Sequence, residues 1–523
     1  MRPSPRVLSA IGVACLVGLS ATVGRTRTER PVQAAVGRPA AGVEPHWQLF
    51  LDDHVIERST GFRRVVLPPK PHGVVLEPDQ PWETQGLSIM HVGRRRDGKF
   101  ECYYRVHGER VLSDTHAYAV SDDGIHWTKP DLGLVPAPGG GKSNLLPCGA
   151  PFDVGFLGTS PDPGKRYLLG LGNHPRGFKM EMFFARELPD WQNDPKWKDK
   201  LTRAGTKPSY KLGLNFWDQA TRDWVFMRQS PNHPPTRCIA RWSTKDLKNW
   251  EVRSVLYPDA HDSSDPRSFD EAYGMHAMVT EGLVLGFIEW FKGDQTRPDL
   301  AVLERELIGR VHMKGPMETR IAVSRDGGFT WDRTVSREAW IPHGSQPNSY
   351  DRLVVMYASP VRNGDEDWIY ATVIDGDHAS GMGYGRPGRS RGALYTQKHN
   401  RYVSLQAGNT AQILITKPIR VTGRTLQLNV DGSRGEVKVG IGIDKPITIF
   451  DTVGHLPSYM VRDRQNRTHL EPGFQVGQCR AIHANSIEHT VEWKDSNLQA
   501  LQGKTVRLYI MVRDANVFGF RFK

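Results

Sequence analysis

The sequence lacks the marks of several common protein classes. Five cysteines in 523 residues, none in a CxxC pair, exclude a cysteine-built metal site and a dense disulfide framework. Beyond the first two dozen residues no stretch approaches the roughly 20 apolar residues of a membrane span, so none is expected in the mature chain. Lysine and arginine never gather into a long basic run, which argues against nucleic acid as a partner. HExxH and GxSxG are absent. GGGKSN at 139–144 has Pro136 where a phosphate loop begins with glycine, and GMGYGRPG at 381–388 does not sit between a strand and a helix. No cofactor is therefore expected.

What is present is turn-forming residue and short strand. Fifty-two glycines and 36 prolines accompany modest hydrophobicity, a balance that favours many short strands over long helices. The chain opens MRPSPRVLSAIGVACLVGLSATVG, arginines before an apolar small-residue run, which is the layout of a secretory signal. Residues 1–35 are assigned to signal and processing, and 25–45 read as a linker. Export implies a secreted or periplasmic protein carrying Cys102, Cys148, Cys238 and Cys479. The formal charge is +12, and loss of five arginines and one glutamate with residues 1–35 leaves +8. A basic exported protein is compatible with an anionic polysaccharide partner.

Three stretches share one pattern: AYAVSDDGIHW at 117–127, IARWSTKDLKNW at 239–250 and IAVSRDGGFTW at 321–331. Ser or Thr comes first, Asp two residues later, and Trp six or seven residues after the first. Each closes a unit of strand, turn, strand and strand. Five such units start near residues 87, 153, 212, 273 and 353, the fifth carrying Tyr402 in place of Trp. Repeated units of this kind predict an all-β protein with a five-bladed β-propeller over 46–400. The motif then has a mechanical reading: Asp accepts backbone N–H groups in a tight turn, Gly supplies positive φ, and Trp packs between sheets. From 401 to 523 the strands alternate without the motif, as in TLQLNV, EVKVGIGI and TVRLYIMV, and a β-sandwich is expected.

LFLDDHVIE, PWE, FWD before a strand ending in Arg, YGM, SRDG with its Trp, and a terminal YVSL strand together resemble the five-bladed propeller glycoside hydrolases of families 32 and 43. The likeness is closest to exported bacterial proteins grouped with family 32, and it spans nearly all the mature chain. SRDGGFTW also matches the Asp-box of sialidases, a fold element. The resemblance implies a glycosidase fold with substrate bound where the innermost strands converge. The WMNDPNG, RDP and EC motifs of family 32 are missing, so no catalytic residue carries over.

Glycoside hydrolysis needs a protonated and an ionised carboxyl group. The acids at the predicted innermost-strand entries are Glu83, Asp153, Asp270, Glu271 and Asp351, with Asn215 in the third unit. Glu271 is the favoured acid, Asp351 or Asp153 the ionised partner, and Glu83 a positioning group. Asp270, Arg228, Arg237 and His378 are candidates for holding substrate, and Trp82, Trp217 and Trp290 for stacking on sugar faces. The acid-rich stretch DAHDSSDPRSFDEAYGMH at 259–276 reads as a rim loop or a calcium loop, but lacks DxDxDG spacing, and no metal is assigned. The reading is an exported glycoside hydrolase of poly- or oligosaccharide. The alternatives are a non-catalytic carbohydrate-binding propeller and a sialidase-like enzyme.

Overall fold

The three motif turns are built alike, from the same short set of hydrogen bonds. Asp326 Oδ1 accepts the N–H groups of Phe329 (3.0 Å) and Thr330 (2.9 Å), while Ser324 Oγ accepts that of Gly328 (2.8 Å). Asp123 Oδ1 accepts from Ile125 and His126, both at 2.8 Å, and Ser121 Oγ from Gly124 at 2.8 Å. Asp246 Oδ1 accepts from Lys248 (2.9 Å) and Asn249 (2.8 Å), and Thr244 Oγ1 from Leu247 (2.9 Å). The residue bonded to the hydroxyl is left-handed each time: Gly124 at φ 78°, Gly328 at φ 88° and Leu247 at φ 54°. Leucine tolerates this conformation in the third copy while its side chain is buried between sheets.

The computed structural model describes residues 46–108, 115–147, 152–153, 162–171, 180–207, 214–230, 237–262, 270–293, 315–335, 337–346, 349–378, 389–443 and 470–523, with backbone alone at 152–153, 171, 180, 206–207 and 214–215. The signal and linker assigned to 1–45 lie outside these residues. The regular structure of the described chain is nearly all strand, with helix confined to short 3₁₀ turns such as Trp197–Lys200. No described helix is long and apolar enough to cross a membrane. Cys102, Cys238 and Cys479 are free and buried.

Five antiparallel ladders follow in chain order. The first comprises Gly86–Arg94, Phe100–His107, His116–Ser121 and Leu145–Leu146. The second comprises Phe152–Asp153, Tyr167–Leu171, Met180–Ala185 and Thr202–Lys207, and the third Leu214–Asp218, Asp223–Gln229, Ile239–Thr244 and Glu251–Leu256. The fourth holds Glu271–Thr280, Leu283–Phe291 and Met317–Ser324. In the fifth, Leu353–Val355, Glu366–Ile374 and Ser390–Lys398 are completed by an early strand, Lys70–Leu76, which pairs with Ser390–Lys398. Single parallel pairs, Met317 with Leu353 and Ser390 with Gly86, join the fourth ladder to the fifth and the fifth to the first.

Apolar clusters link these ladders in sequence. Tyr103 and Tyr118 of the first pack with Leu169 and Trp191 beside the second. Leu168 and Met182 of the second meet Trp224 and Phe226 of the third, whose Phe216 and Val225 meet Ala272 and Trp290 of the fourth. Phe287 and Ile321 of the fourth join Ile369 and Val373 of the fifth. Tyr370 and Leu394 of the fifth then pack with Ile89 and Tyr104 of the first. The motif turns run along the same seams: Tyr370 Oη donates to Gly124 O (2.9 Å) and Arg241 Nε to Gly327 O (3.0 Å).

The remaining strands form two further sheets around one large apolar cluster that includes Leu428, Val439, Leu508, Ile510 and Phe520. Strands within 46–66, expected with the first domain, pair into these sheets, while Trp47, Leu49, Leu51 and Val66 also pack with the fourth and fifth ladders. Ile56–Ser59 pairs with Gln412–Thr416, Arg63–Val66 with Val403–Ala407, and Gln48–Leu49 with Ala515–Phe522. These strands are only two to four residues long, too short for alternation to declare a partner, and their register is set by strands more than 300 residues away.

Candidate functional site

Glu271–Thr280 opens the fourth ladder and pairs with Leu283–Phe291, but the register shifts between Ala272 and Gly274, leaving Tyr273 as a bulged residue. Equivalent shifts occur between Ile89 and His91 in the first ladder and between Leu214 and Phe216 in the third. Bulges of this kind re-aim side chains and concentrate beside functional sites. Past the bulge, Gly274 lies opposite Glu289. A β-carbon at 274 would run into the Glu289 carboxylate, which would have to shift to admit it.

Glu289 is buried within an otherwise apolar strand. Among the described residues neither of its carboxylate oxygens has a hydrogen-bond partner, and its ion-pair contact there is Arg228 Nη1 at 3.5 Å. Desolvation raises its pKa above the ordinary glutamate value, against the opposing charges of Arg228 and Arg105. Arg228 Nε and Arg105 Nε are also buried without hydrogen-bond partners among the described residues. The Arg228 guanidinium stands 5.8 Å from the centre of the Tyr357 ring, and burial pushes the Tyr357 hydroxyl up to about 12. Buried polar groups in native proteins are nearly always satisfied, so four unbonded atoms in one place describe a site shaped for something else.

A second acid–arginine pair lies beside the first. Glu271 Oε1 accepts the backbone N–H of Arg237 at 3.1 Å, and its Oε2 is ion-paired with the Arg237 guanidinium. Arg237 lies 5.0 Å from the Tyr273 ring centre. The Tyr273 hydroxyl is held above its usual pKa by desolvation, and it feels Arg237, Glu289, Arg228 and Glu271 together, which places it between the two pairs. His378 packs its ring 5.0 Å from Tyr273 and 4.7 Å from Phe291. His91, His107 and His276 are each lowered to about 4 by burial and stay neutral at ordinary pH. These histidines, with Arg228, Tyr273 and Tyr357, are half-buried.

Of the residues singled out from sequence, Glu271, Arg237, Arg228 and His378 come together here. Glu83 does not. Its buried carboxylate accepts from Tyr104 Oη (2.7 Å), Lys129 Nζ (2.7 Å) and the N–H groups of Asp79 (3.0 Å) and Gln80 (3.1 Å), which makes it the centre of a closed turn. Asp270 accepts Trp290 Nε1 at 3.0 Å, and Trp290 is fully buried under Arg320 and Arg333 rather than open to a sugar. Asp351 is half-buried against Gly344 in the turn before Leu353–Val355. Trp82 is buried between the fifth and first ladders, and Trp217 packs 4.6 Å from Trp224. The Asp153 backbone pairs with Tyr167; its side chain and that of Asn215 lie outside the described residues.

The start of the acid-rich stretch, at 259–262, is held by arginines, and 263–269 lie outside the described residues. Asp262 is ion-paired with Arg333 and with Arg337 (2.7 Å), and Asp259 with Arg337 at 2.9 Å. Among the described residues no three His, Cys, Asp or Glu side chains are grouped to hold a metal ion. A surface groove of about 400 Å³ near Asn409, Ser433 and His483 is lined by charges that already neutralise one another, Arg434 bonding Asp514 at 2.8 Å. The interior cluster has the unmet polar groups, and the groove does not.

Glu289 and Arg105 were not singled out from sequence. Glu289 sits in LVLGFIEWF and Arg105 in FECYYRVH, second strands of their ladders, whereas the search for acids followed first strands. For Glu289 the available signal was a lone charge inside an otherwise apolar strand, which is costly to bury and calls for a reason.

No protein-family profile matches the chain, and no curated protein matches its sequence. Similar solved structures include one described as a glycoside hydrolase, at 16% identity and a TM-score of 0.38, over 64% of this chain and 92% of that one. A β-1,2-mannobiose phosphorylase from Listeria innocua is 12% identical at a TM-score of 0.36, covering 65% and 97%. An exo-β-1,3-galactanase from Phanerochaete chrysosporium is 10% identical at 0.32, covering 88% and 100%. Similarity of that degree leaves the function to be read from the site itself.

Proposed function

We propose that this chain is an exported glycoside hydrolase that cleaves a poly- or oligosaccharide in the axial space of a five-bladed propeller, with a β-sandwich behind it. The ring of apolar clusters supports five blades: each ladder packs on the next, the fifth packs on the first, and Lys70–Leu76 closes the last. On this reading the propeller spans about 70–398, and the sandwich takes 46–66 together with 403–523.

The observation that carries the reading is Glu289, a buried carboxyl group whose oxygens accept no hydrogen bond among the described residues and whose pKa is raised. Such a group retains its proton where an ordinary glutamate loses it, which suits donation to a leaving glycosidic oxygen. Glu271, ion-paired with Arg237, is the ionised partner that attacks the anomeric carbon or takes a proton from attacking water. Tyr273 orients substrate between them, and the Glu289 proton ends on the departing sugar hydroxyl. Glu271 thus moves from favoured acid to ionised partner.

Glu271 has both oxygens engaged by Arg237, and this favours a binding-only propeller as the second reading. A sialidase-like mechanism draws less support, because a tyrosine nucleophile needs a lowered pKa and Tyr357 is pushed up to about 12. Purified protein incubated with a panel of neutral and acidic glycans separates the readings. A hydrolase releases new reducing ends from at least one glycan and loses that activity as Glu289→Gln. Saccharide binding with no cleavage across the panel would establish the binding-only reading.

A further inference from the structure

Two guanidinium groups, Arg105 and Arg228, act on one buried carboxyl group, Glu289. Arg237 is neutralised separately by Glu271. Whether Glu289 is protonated or ionised, the described residues at this point retain at least one positive charge without a counter-charge. Burial, the largest single influence on Arg228, opposes its charge, yet its pKa is raised because Glu289, Tyr357 and Tyr273 together outweigh that penalty. Arg105 reaches Glu289 only at longer range. It forms no side-chain hydrogen bond or ion pair among the described residues, its Nε is buried, and its strand neighbour His107 is neutral and bonded to Ser88 Oγ at 2.8 Å. A buried or half-buried guanidinium without a carboxylate is an expensive arrangement unless an anion completes it.

We infer that Arg105, with Arg228, receives an anionic oxyacid group carried by the sugar, so that the substrate is an acidic saccharide bearing a uronate carboxylate or a sulfate. The guanidinium fork presents parallel N–H donors that match two oxygens of either group. The half-buried Tyr357 ring beside Arg228 limits competing water. This inference rests on the site assigned in the preceding subsection, but on different residues from those assigned to bond cleavage.

The test is calorimetric titration of the full chain with D-galacturonate, D-glucuronate and glucose 6-sulfate, each beside galactose or glucose and inorganic sulfate. The acidic sugars should bind about tenfold or more tightly than the neutral ones, as a charge-assisted hydrogen bond implies. The uronates and the sulfate ester distinguish which oxyacid is preferred. Arg105→Gln should abolish the preference, with Arg105→Lys keeping part of it. Added salt should weaken acidic-sugar binding by the unmodified protein and leave neutral-sugar binding unchanged, a readout that needs no variant to fold. Equal binding of acidic and neutral sugars, or a preference that survives Arg105→Gln, would overturn the inference. Inorganic sulfate binding as tightly as the acidic sugars would mean an adventitious ion only, and would overturn it too. Glu289-dependent cleavage of neutral glycans without acidic preference would remove the anion site alone. Arg105-dependent binding of acidic sugars without any cleavage would remove the hydrolase reading alone.

Discussion

Glu289 and Gly274 face one another across two paired strands, and the carboxyl group occupies the space that a side chain at 274 would fill. The pairing makes a glycine and an acid one structural unit across the hairpin. Gly274→Ala should destabilise the fold by about 1–3 kcal/mol through overpacking, and should displace the carboxyl group enough to lower turnover sharply. Shortening the acid by one methylene, as Glu289→Asp, should recover stability in the Gly274→Ala background. Urea-unfolding midpoints of the two single variants and the double variant check this, and strictly additive losses would deny the contact.

The motif turns predict a purely structural loss. Asp326→Ala removes an acceptor from two backbone N–H groups and should cost about 1–3 kcal/mol. Trp331 is half-buried rather than fully buried, so Trp331→Ala should fall below the roughly 3–5 kcal/mol typical of a buried tryptophan. Both variants should keep full turnover per folded molecule at temperatures where they remain folded. A variant of normal melting temperature that loses activity would move the motif into the site.

Glu83 predicts the opposite of a positioning role. Lys129→Met would strand its buried carboxylate without a cation, at a cost of roughly 3–5 kcal/mol. Activity measured below the lowered melting temperature should be unchanged. A raised KM with unaltered stability would return Glu83 to the substrate.

These outcomes bear on how much the sequence disclosed. The Ser/Thr–Asp–Trp spacing revealed a local hydrogen-bond set that each copy builds for itself, so it was legible without tertiary information. Glu271, Arg237, Arg228 and His378 were legible as chemistry near strand entries. Glu289 was not, because its importance comes from Gly274 across the ladder and from two arginines in other ladders. Glu83 misled for the same reason: a lone acid before a strand looks identical whether it meets substrate or, as here, Tyr104 and Lys129. The strands of 46–66 hid their partners because register at that distance is decided by tertiary packing.

The pH profile has a definite sign. An acid that must be protonated supports activity below its pKa, so kcat/KM should fall as pH rises through a value above the 4.5 of an ordinary glutamate. Arg228 and Arg105 both lower the Glu289 pKa. Arg228→Met removes one opposing charge, and the alkaline limb should move to higher pH even as overall activity falls. A limb that stays in place or moves to lower pH would show that another group sets it.

The central claim is that Glu289 donates the proton to the leaving group, and leaving-group dependence tests it most directly. Turnover of Glu289→Gln is measured on a glycan the protein cleaves and on an aryl glycoside of the same sugar with an acidic phenol. The glycan needs a proton at its departing oxygen, and its turnover should fall by a factor on the order of 10²–10⁴. The phenolate departs unaided, so turnover of the aryl glycoside should be largely retained. Equal losses on both substrates, or no loss on the glycan, would contradict the assignment of Glu289 as the acid.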